Sequence, residues 1–338
     1  AMVEPLGMEL AAVGAEPDLL EAAPALLVAA ADTASVLIPE GREDVAIPEG
    51  TKEIRILGPE VEVVGWVRRP NRRIVTELAA YLATRDDGRP RSADELRAAL
   101  WPLGADLQGK EVSEETFRSY VSHLRSCLGR DHLPDAGEVG GYRLEGVTTD
   151  WGRFKALVAQ ARRAPTCEAE MLLVEALDLV RGRPFAHVPK GTYTWAFSEF
   201  LVSDIEVAVG DAAHTLATMA LDAGDPAAAA EAAAKGLLVV PTMERLHQDR
   251  MLAAAMGRDR DALHRARRDA EHSLGALGPT EELSDEILTL YHQLLETLSR
   301  PNADAAPAAN GTAPPTAVNG NGARLIPPGR GKPAPDRR

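Results

Sequence analysis

Between residues 113 and 130 the side chains able to engage an anionic partner recur at helical spacing: Arg118, Ser119, Ser122, His123, Arg125 and Arg130. Short hydroxyl side chains let a backbone come close to a duplex, while arginines reach phosphates or guanine edges. The chemistry on offer is hydrogen bonding and charge neutralisation, with no bond made or broken. Arg72 and Arg73, Arg91 and Arg143 stand near the elements on either side and complete the expected DNA-contacting set. No catalytic arrangement competes with this reading. The chain has no Walker A loop, GxSxG elbow or HExxH, and Gly329-Arg330-Gly331-Lys332 lacks the strand and helix that would frame a phosphate cradle. Its two cysteines, Cys127 and Cys167, form no CxxC pair, and the eight histidines are scattered. We therefore expect no disulfide framework, catalytic site, metal or cofactor, and a protein that is not an enzyme.

Three helices must position these side chains. Residues 71–84 place Ile74, Val75, Leu78 and Leu82 on one face, reading as a first helix. Ser92-Ala93-Asp94-Glu95 is a capping box that opens a second, with Leu96, Leu100 and Trp101 as its apolar stripe and Pro102 as its stop. After a polar loop, Ser113 caps a third helix whose Phe117, Val121, Leu124 and Leu128 share one face, with Glu115, Ser119, Ser122 and Ser126 opposite and Gly129 as terminator. Ile54 to Trp66 reads as two opening strands. Gly137 and the Gly140-Gly141-Tyr142-Arg143-Leu144 run read as a turn and strand, a glycine-tipped hairpin that supplies a wing.

The run Thr116-Phe117-Arg118-Ser119-Tyr120-Val121-Ser122-His123-Leu124-Arg125-Ser126-Cys127-Leu128-Gly129, followed by Gly141-Tyr142-Arg143-Leu144, resembles the recognition helix and wing of the SARP family of antibiotic regulatory proteins. These are actinobacterial activators with an OmpR-type winged helix-turn-helix. His123 stands where the family usually carries a basic residue. Asp150-Trp151-Gly152-Arg153-Phe154 and the stretch from Val174 to Phe185 resemble the opening of that family's bacterial transcriptional activator domain, and Gly275 to Leu283, running into Leu290-Tyr291, its closing part. The resemblance implies dimeric binding to direct repeats in double-stranded DNA and recruitment of RNA polymerase.

An internal repeat supports the second half. A shift of 33 residues superposes His214 on His247, Gly224 on Gly257, Ala229 on Ala262 and Ala233 on Ala266, close to the ~34-residue period of tetratricopeptide helix pairs. The two glycines are expected to be left-handed turn residues, the two histidines equivalent packing positions, and residues 150–300 an array of five to seven helices. The fold class expected is mainly α, with an α+β N-terminal part: a winged helix-turn-helix followed by a TPR-like solenoid. The expected division is a remnant of a preceding domain or linker at 1–52, a DNA-binding domain at 53–149, an activator domain at 150–300 and a disordered Pro-, Ala- and Gly-rich tail at 301–338. No stretch reaches the ~20 apolar residues of a membrane span, no basic n-region of a signal peptide is seen, and a cytoplasmic location is expected.

Charge opposes the DNA reading. The whole chain is net −14, and residues 53–150 hold 14 Lys and Arg against 17 Asp and Glu. A domain without net positive charge must cluster its cations to hold phosphate, and clusters stand at Arg68, Arg69, Arg72 and Arg73 and at Arg85, Arg89 and Arg91. The alternative is a protein-interaction module in which the winged helix no longer binds DNA and the helical half holds a partner, a role open to the cytoplasmic part of a larger membrane-associated protein.

Overall fold

The computed structural model describes residues 52–85, 87–104, 112–275 and 283–299. All of the expected 1–52 remnant except Lys52, the tail from 301 onward, most of the loop before Ser113 and part of the closing segment lie outside these residues.

A three-stranded sheet of order β2-β1-β3 opens the fold, from β1 (Lys52–Arg55), β2 (Glu62–Val64) and β3 (Val147–Thr149). The central β1 runs antiparallel to β2, with Ile54 opposite Val63, and parallel to β3, with Ile54 opposite Thr149. Between β1 and β3 lie α1 (Arg73–Ala83), α2 (Ala93–Leu100) and α3 (Glu114–Leu128). The capping box at Ser92 forms in full, and Ser113 accepts from the Thr116 N–H. All four apolar residues expected on the inner face of α3 are buried, as are Val75, Leu78 and Leu82 of α1 and Leu96, Leu100 and Trp101 from α2 and its cap.

The hairpin wing is corrected. Residues 130–132 form a 3-10 turn and Ala136–Val139 a one-turn helix, α4, closed by Gly140 at φ 74°. Residues 140–144 form no strand; Tyr142 instead makes a single bridge with Arg91, each N–H donating to the other's carbonyl at 2.8 Å. Gly141 permits this, because a Cβ there would stand 2.7 Å from the Arg91 carbonyl oxygen. The bridge does not extend into a ladder, because the next residue that could exchange such bonds, Ala93, already begins α2.

The C-terminal half is helical: α5 (Asp150–Ala161), α6 (Thr166–Asp178), the single turn α7 (Thr194–Ser198), α8 (Leu201–Asp222), α9 (Pro226–Leu237), α10 (Glu244–Met256), α11 (Arg260–Gly275) and α12 (Asp285–Ser299). The described residues thus hold eight helices here, one more than the upper expectation, the extra one being the single turn. α8 packs on α9 and α10, and α10 on α9 and α11, as in stacked helical hairpins. One core runs without a break from Ile54 to Leu246 across both halves.

The repeat has a period of 34 residues, one more than the sequence shift. Asp225 follows α8 and its N–H donates to the Ala220 carbonyl; Asp259 follows α10 and donates to Ala254. Both aspartates then cap the next helix, Asp225 through Ala227 and Ala228, Asp259 through Ala262. Buried Ala229, Ala232 and Gly236 of α9 correspond at that spacing to Leu263, Ala266 and Ala270 of α11. His214 and His247 are therefore not equivalent. His214 Nδ1 lies 2.7 Å from the Asp249 carboxylate, whereas His247 is buried with Nε2 2.8 Å from the Pro241 carbonyl.

Gly224 has the expected left-handed backbone at φ 76°, but Gly257 is helical at φ −71° and the left-handed residue is Arg258, at φ 54°. The extra residue of the longer period moves the turn by one position. Gly224→Val is expected to cost ~1–2 kcal/mol in thermal melts, and Gly257→Val to stay within about 0.5 kcal/mol of the parent. Equal losses in the two variants would contradict the 34-residue register.

Candidate nucleic-acid interface

Amphipathic spacing turns Ser119, Ser122, His123 and Ser126 outward from α3, opposite the buried Phe117-Val121-Leu124-Leu128 face. The hydroxyls of Ser119 and Ser122 have no hydrogen-bond partner among the described residues, while the Ser126 hydroxyl donates to the His123 carbonyl. Two shallow hollows flank this crest, and Ser122 lines both. The first, about 350 Å³, is bounded by Asn71, Arg72, Ser119, Ser122, His123 and Ser126. The second, about 300 Å³, lies toward α4 and includes Arg118, Val121, Arg125, Asp135, Gly137 and Tyr142.

The expected arginines divide by what they touch. Arg118, with its side chain 71% exposed, pairs with Glu114 one turn earlier at 2.5 Å. Arg143 pairs with Glu145 at 2.6 Å and Arg91 with Asp87 at 2.5 Å. Arg85 and Arg89 are likewise matched, by Glu199 and Glu95. Arg125 is placed differently from a groove-reaching side chain: only 19% exposed, it donates to the Leu133 and Pro134 carbonyls and pairs with Asp135. It ties the recognition helix to the segment leading into α4. By contrast Arg68, Arg69, Arg72, Arg73 and Arg130 are exposed and have no acidic partner among the described residues.

The Arg68–Arg73 run is held against the C-terminal end of α3, where the N–H groups of Val67 and Arg68 donate to the Cys127 carbonyl at 3.0 and 3.4 Å. The structure thus gathers Arg72, Ser119, Ser122 and His123 at one hollow and Arg118 and Arg125 at the other. Arg73 and Arg130 stay outside both, and Arg91 and Arg143 are engaged with their own neighbours. Asn71 and Ser126 join the first hollow without having been in the expected set; the charge run around Asn71 was the signal for that flank. Glu114 and Glu115 at the start of α3 repel phosphate, so the anion-compatible part of the helix is its C-terminal two-thirds. No group of three or more His, Cys, Asp or Glu able to hold a metal occurs among the described residues, and no described helix is long and apolar enough to cross a membrane.

Arg125→Ala is expected to leave the helix unpaired from the 133–135 segment and to cost about 1–3 kcal/mol of stability through buried carbonyls left without donors. Urea unfolding measures this, and an unchanged midpoint would show that the tie carries no load.

Residues 149–298 match the family described as the bacterial transcriptional activator domain. The chain is similar to the regulatory protein AfsR of Streptomyces griseus, 36% identical over 109 residues, which is 30% of this chain and 11% of that protein. Among solved structures, it is similar to Mycobacterium tuberculosis EmbR in complex with a low affinity phosphopeptide, with a TM-score of 0.51, 22% identity and coverage of 74% of this chain and 66% of that one. The chain thus spans less than two thirds of either relative, and the structural likeness is one of fold.

Proposed function

We propose that this chain, whose residues 149–298 match the bacterial transcriptional activator domain family, is a SARP-type, sequence-specific DNA-binding regulator whose α3 enters the major groove. The observation that carries this reading is the exposed crest of α3, where the Ser119 and Ser122 hydroxyls have no hydrogen-bond partner among the described residues, together with Arg72 at the adjoining hollow, which has no acidic partner among them. Small hydroxyls suit close approach to base edges, and uncompensated guanidinium groups suit phosphates. The winged helix-turn-helix is then residues 53–149 and the activator domain 150–300. Ser119, Ser122 and His123 face bases; Arg72, Arg73 and Arg130 face the backbone; Arg118 and Arg143 exchange their carboxylate partners for phosphate; Arg91 and Arg125 hold the fold around them.

The finer parts are activation, dimeric binding to direct repeats in promoters and recruitment of RNA polymerase, which rest on the family resemblance, and a further protein partner on the helical half, a cytoplasmic setting and the absence of catalysis, which rest on the sequence. Selection of bound sequences from random duplex DNA with the 338-residue chain tests the reading, and an enriched direct repeat is expected. Failure to enrich any sequence would favour the interaction-module alternative, which draws support from the internal pairing of Arg85, Arg89, Arg91, Arg118, Arg125 and Arg143.

A further inference from the structure

The Arg72 guanidinium carbon lies 5.6 Å from the centre of the Tyr120 ring, and the Tyr120 ring stacks on Trp101 with centroids 5.8 Å apart and planes at 21°. Trp101 in turn meets Phe117 edge-on at 6.4 Å. This column joins the start of α1, the end of α2 and the middle of α3. It ends on a cation at the mouth of the hollow lined by Ser119, Ser122, His123 and Ser126. An exposed arginine on a flexible stem normally loses rotamer entropy when it binds; one laid on an aromatic face is already restricted and keeps its charge and planar donors free. The hollow across the crest is different, because both of its arginines are matched there, Arg118 by Glu114 and Arg125 by Asp135.

We infer that Tyr120 is a positioning residue that holds Arg72 over this hollow as the seat of a backbone phosphate of duplex DNA, and that the ionic hold on the duplex is stronger on the α1 flank of α3 than on the wing flank, where Arg118 must first give up Glu114. The inference rests on the DNA-binding reading and assigns different work to the two flanks of the same helix.

The test measures affinity of the full chain against salt concentration for a duplex carrying the selected sequence. Arg72→Ala is expected to reduce the magnitude of the slope of log affinity against log salt by about 0.9, the value of one phosphate contact on B-DNA. Arg72→Lys keeps the slope and loses about two- to fivefold in affinity with the stacking. Tyr120→Phe behaves as the parent. Tyr120→Leu, which removes the stacking and keeps the charge, loses a similar factor of about two- to fivefold with the slope kept, and adding it to Arg72→Ala has no further effect, the signature of coupled residues. Arg118→Ala changes the slope by less than half as much as Arg72→Ala. If Tyr120→Leu is misfolded by circular dichroism, the two Arg72 variants and Arg118→Ala still decide. Duplex binding with an unchanged slope in Arg72→Ala, or an equal loss in Arg118→Ala, overturns the inference while leaving the DNA-binding reading in place. Equal affinity of the parent for single-stranded nucleic acid, or no duplex binding at all, overturns both.

Discussion

Asp150→Ala is expected to weaken the whole described fold, sheet and helices together, by about 3–5 kcal/mol, a large part of the 5–15 kcal/mol that a domain ordinarily has. The reason lies in what one buried carboxylate does. Standing at the first position of α5 with 1% exposure, Asp150 accepts from the main-chain N–H groups of Ile56 at 2.7 Å and Leu57 at 3.0 Å. It also accepts from Trp151 N–H and from the Arg181 guanidinium. The segment after β1 is strapped again by Arg181, Phe185 and His187, whose N–H groups donate to the carbonyls of Leu57, Gly58 and Pro59. Alanine would leave three buried donors unsatisfied and Arg181 without its nearest anion. Burial pushes the Asp150 carboxyl up, opposed by these donors and by Arg181. Urea unfolding followed by tryptophan fluorescence and by far-ultraviolet circular dichroism should give coincident curves, both displaced in the variant. Two separated transitions, with only one displaced, would show that the halves fold independently.

The second large effect concerns Glu77. Its carboxylate, on α1 and 3% exposed, accepts from the Tyr193 N–H at 2.5 Å, joining the N-terminal half to the turn before α7. Burial pushes its pKa up to about 7, opposed by the Tyr193 N–H. Between its ordinary value and 7 the folded chain keeps a proton that the unfolded chain has lost. The stability that Glu77 supplies is therefore full only below its ordinary value, about 4.5, and is lost progressively as pH rises from there through about 7, by roughly 2–3 kcal/mol. Glu77→Gln keeps an acceptor for Tyr193 but cannot ionise. The stability difference between Glu77→Gln and the parent should therefore grow in favour of Gln as pH rises from about 5 to about 8. A difference that does not vary with pH would mean that the carboxyl ionises as freely in the folded protein as in water.

Glu77 and Asp150 also mark where sequence reasoning stops. The inner face of α3 was legible because Phe117, Val121, Leu124 and Leu128 follow the helical period, and the helix starts because Ser92 and Ser113 are strong caps. A carboxylate buried by residues 93 or 116 positions away carries no local mark and reads as ordinary surface charge, so the joined core was invisible. The wing was misread because a Gly-Gly pair serves a close backbone approach as well as a hairpin tip. The Ala-rich helices gave a 33-residue register as readily as 34, and the capping aspartates, Asp225 and Asp259, were the better markers. Of the site, the Arg118–Glu114 pairing lay within reach at four-residue spacing, whereas the tie from Arg125 to Asp135 crosses a loop and depended on the fold.

The unbroken core from Ile54 to Leu246 bears on how such a protein could read spacing. A reader whose groove-entering helix hung on a loose tether could swivel and accept neighbouring sites at many separations. Here the helix is cast into the same solid as the helices behind it, so turning one turns the other. Two copies on tandem sites would then sense angular phase: sites recurring every full turn of the duplex, about 10–10.5 base pairs, put both bodies on one side, and an added half turn puts them back to back. The stiffness of the fold would act as a ruler whose graduations are helical turns of the DNA.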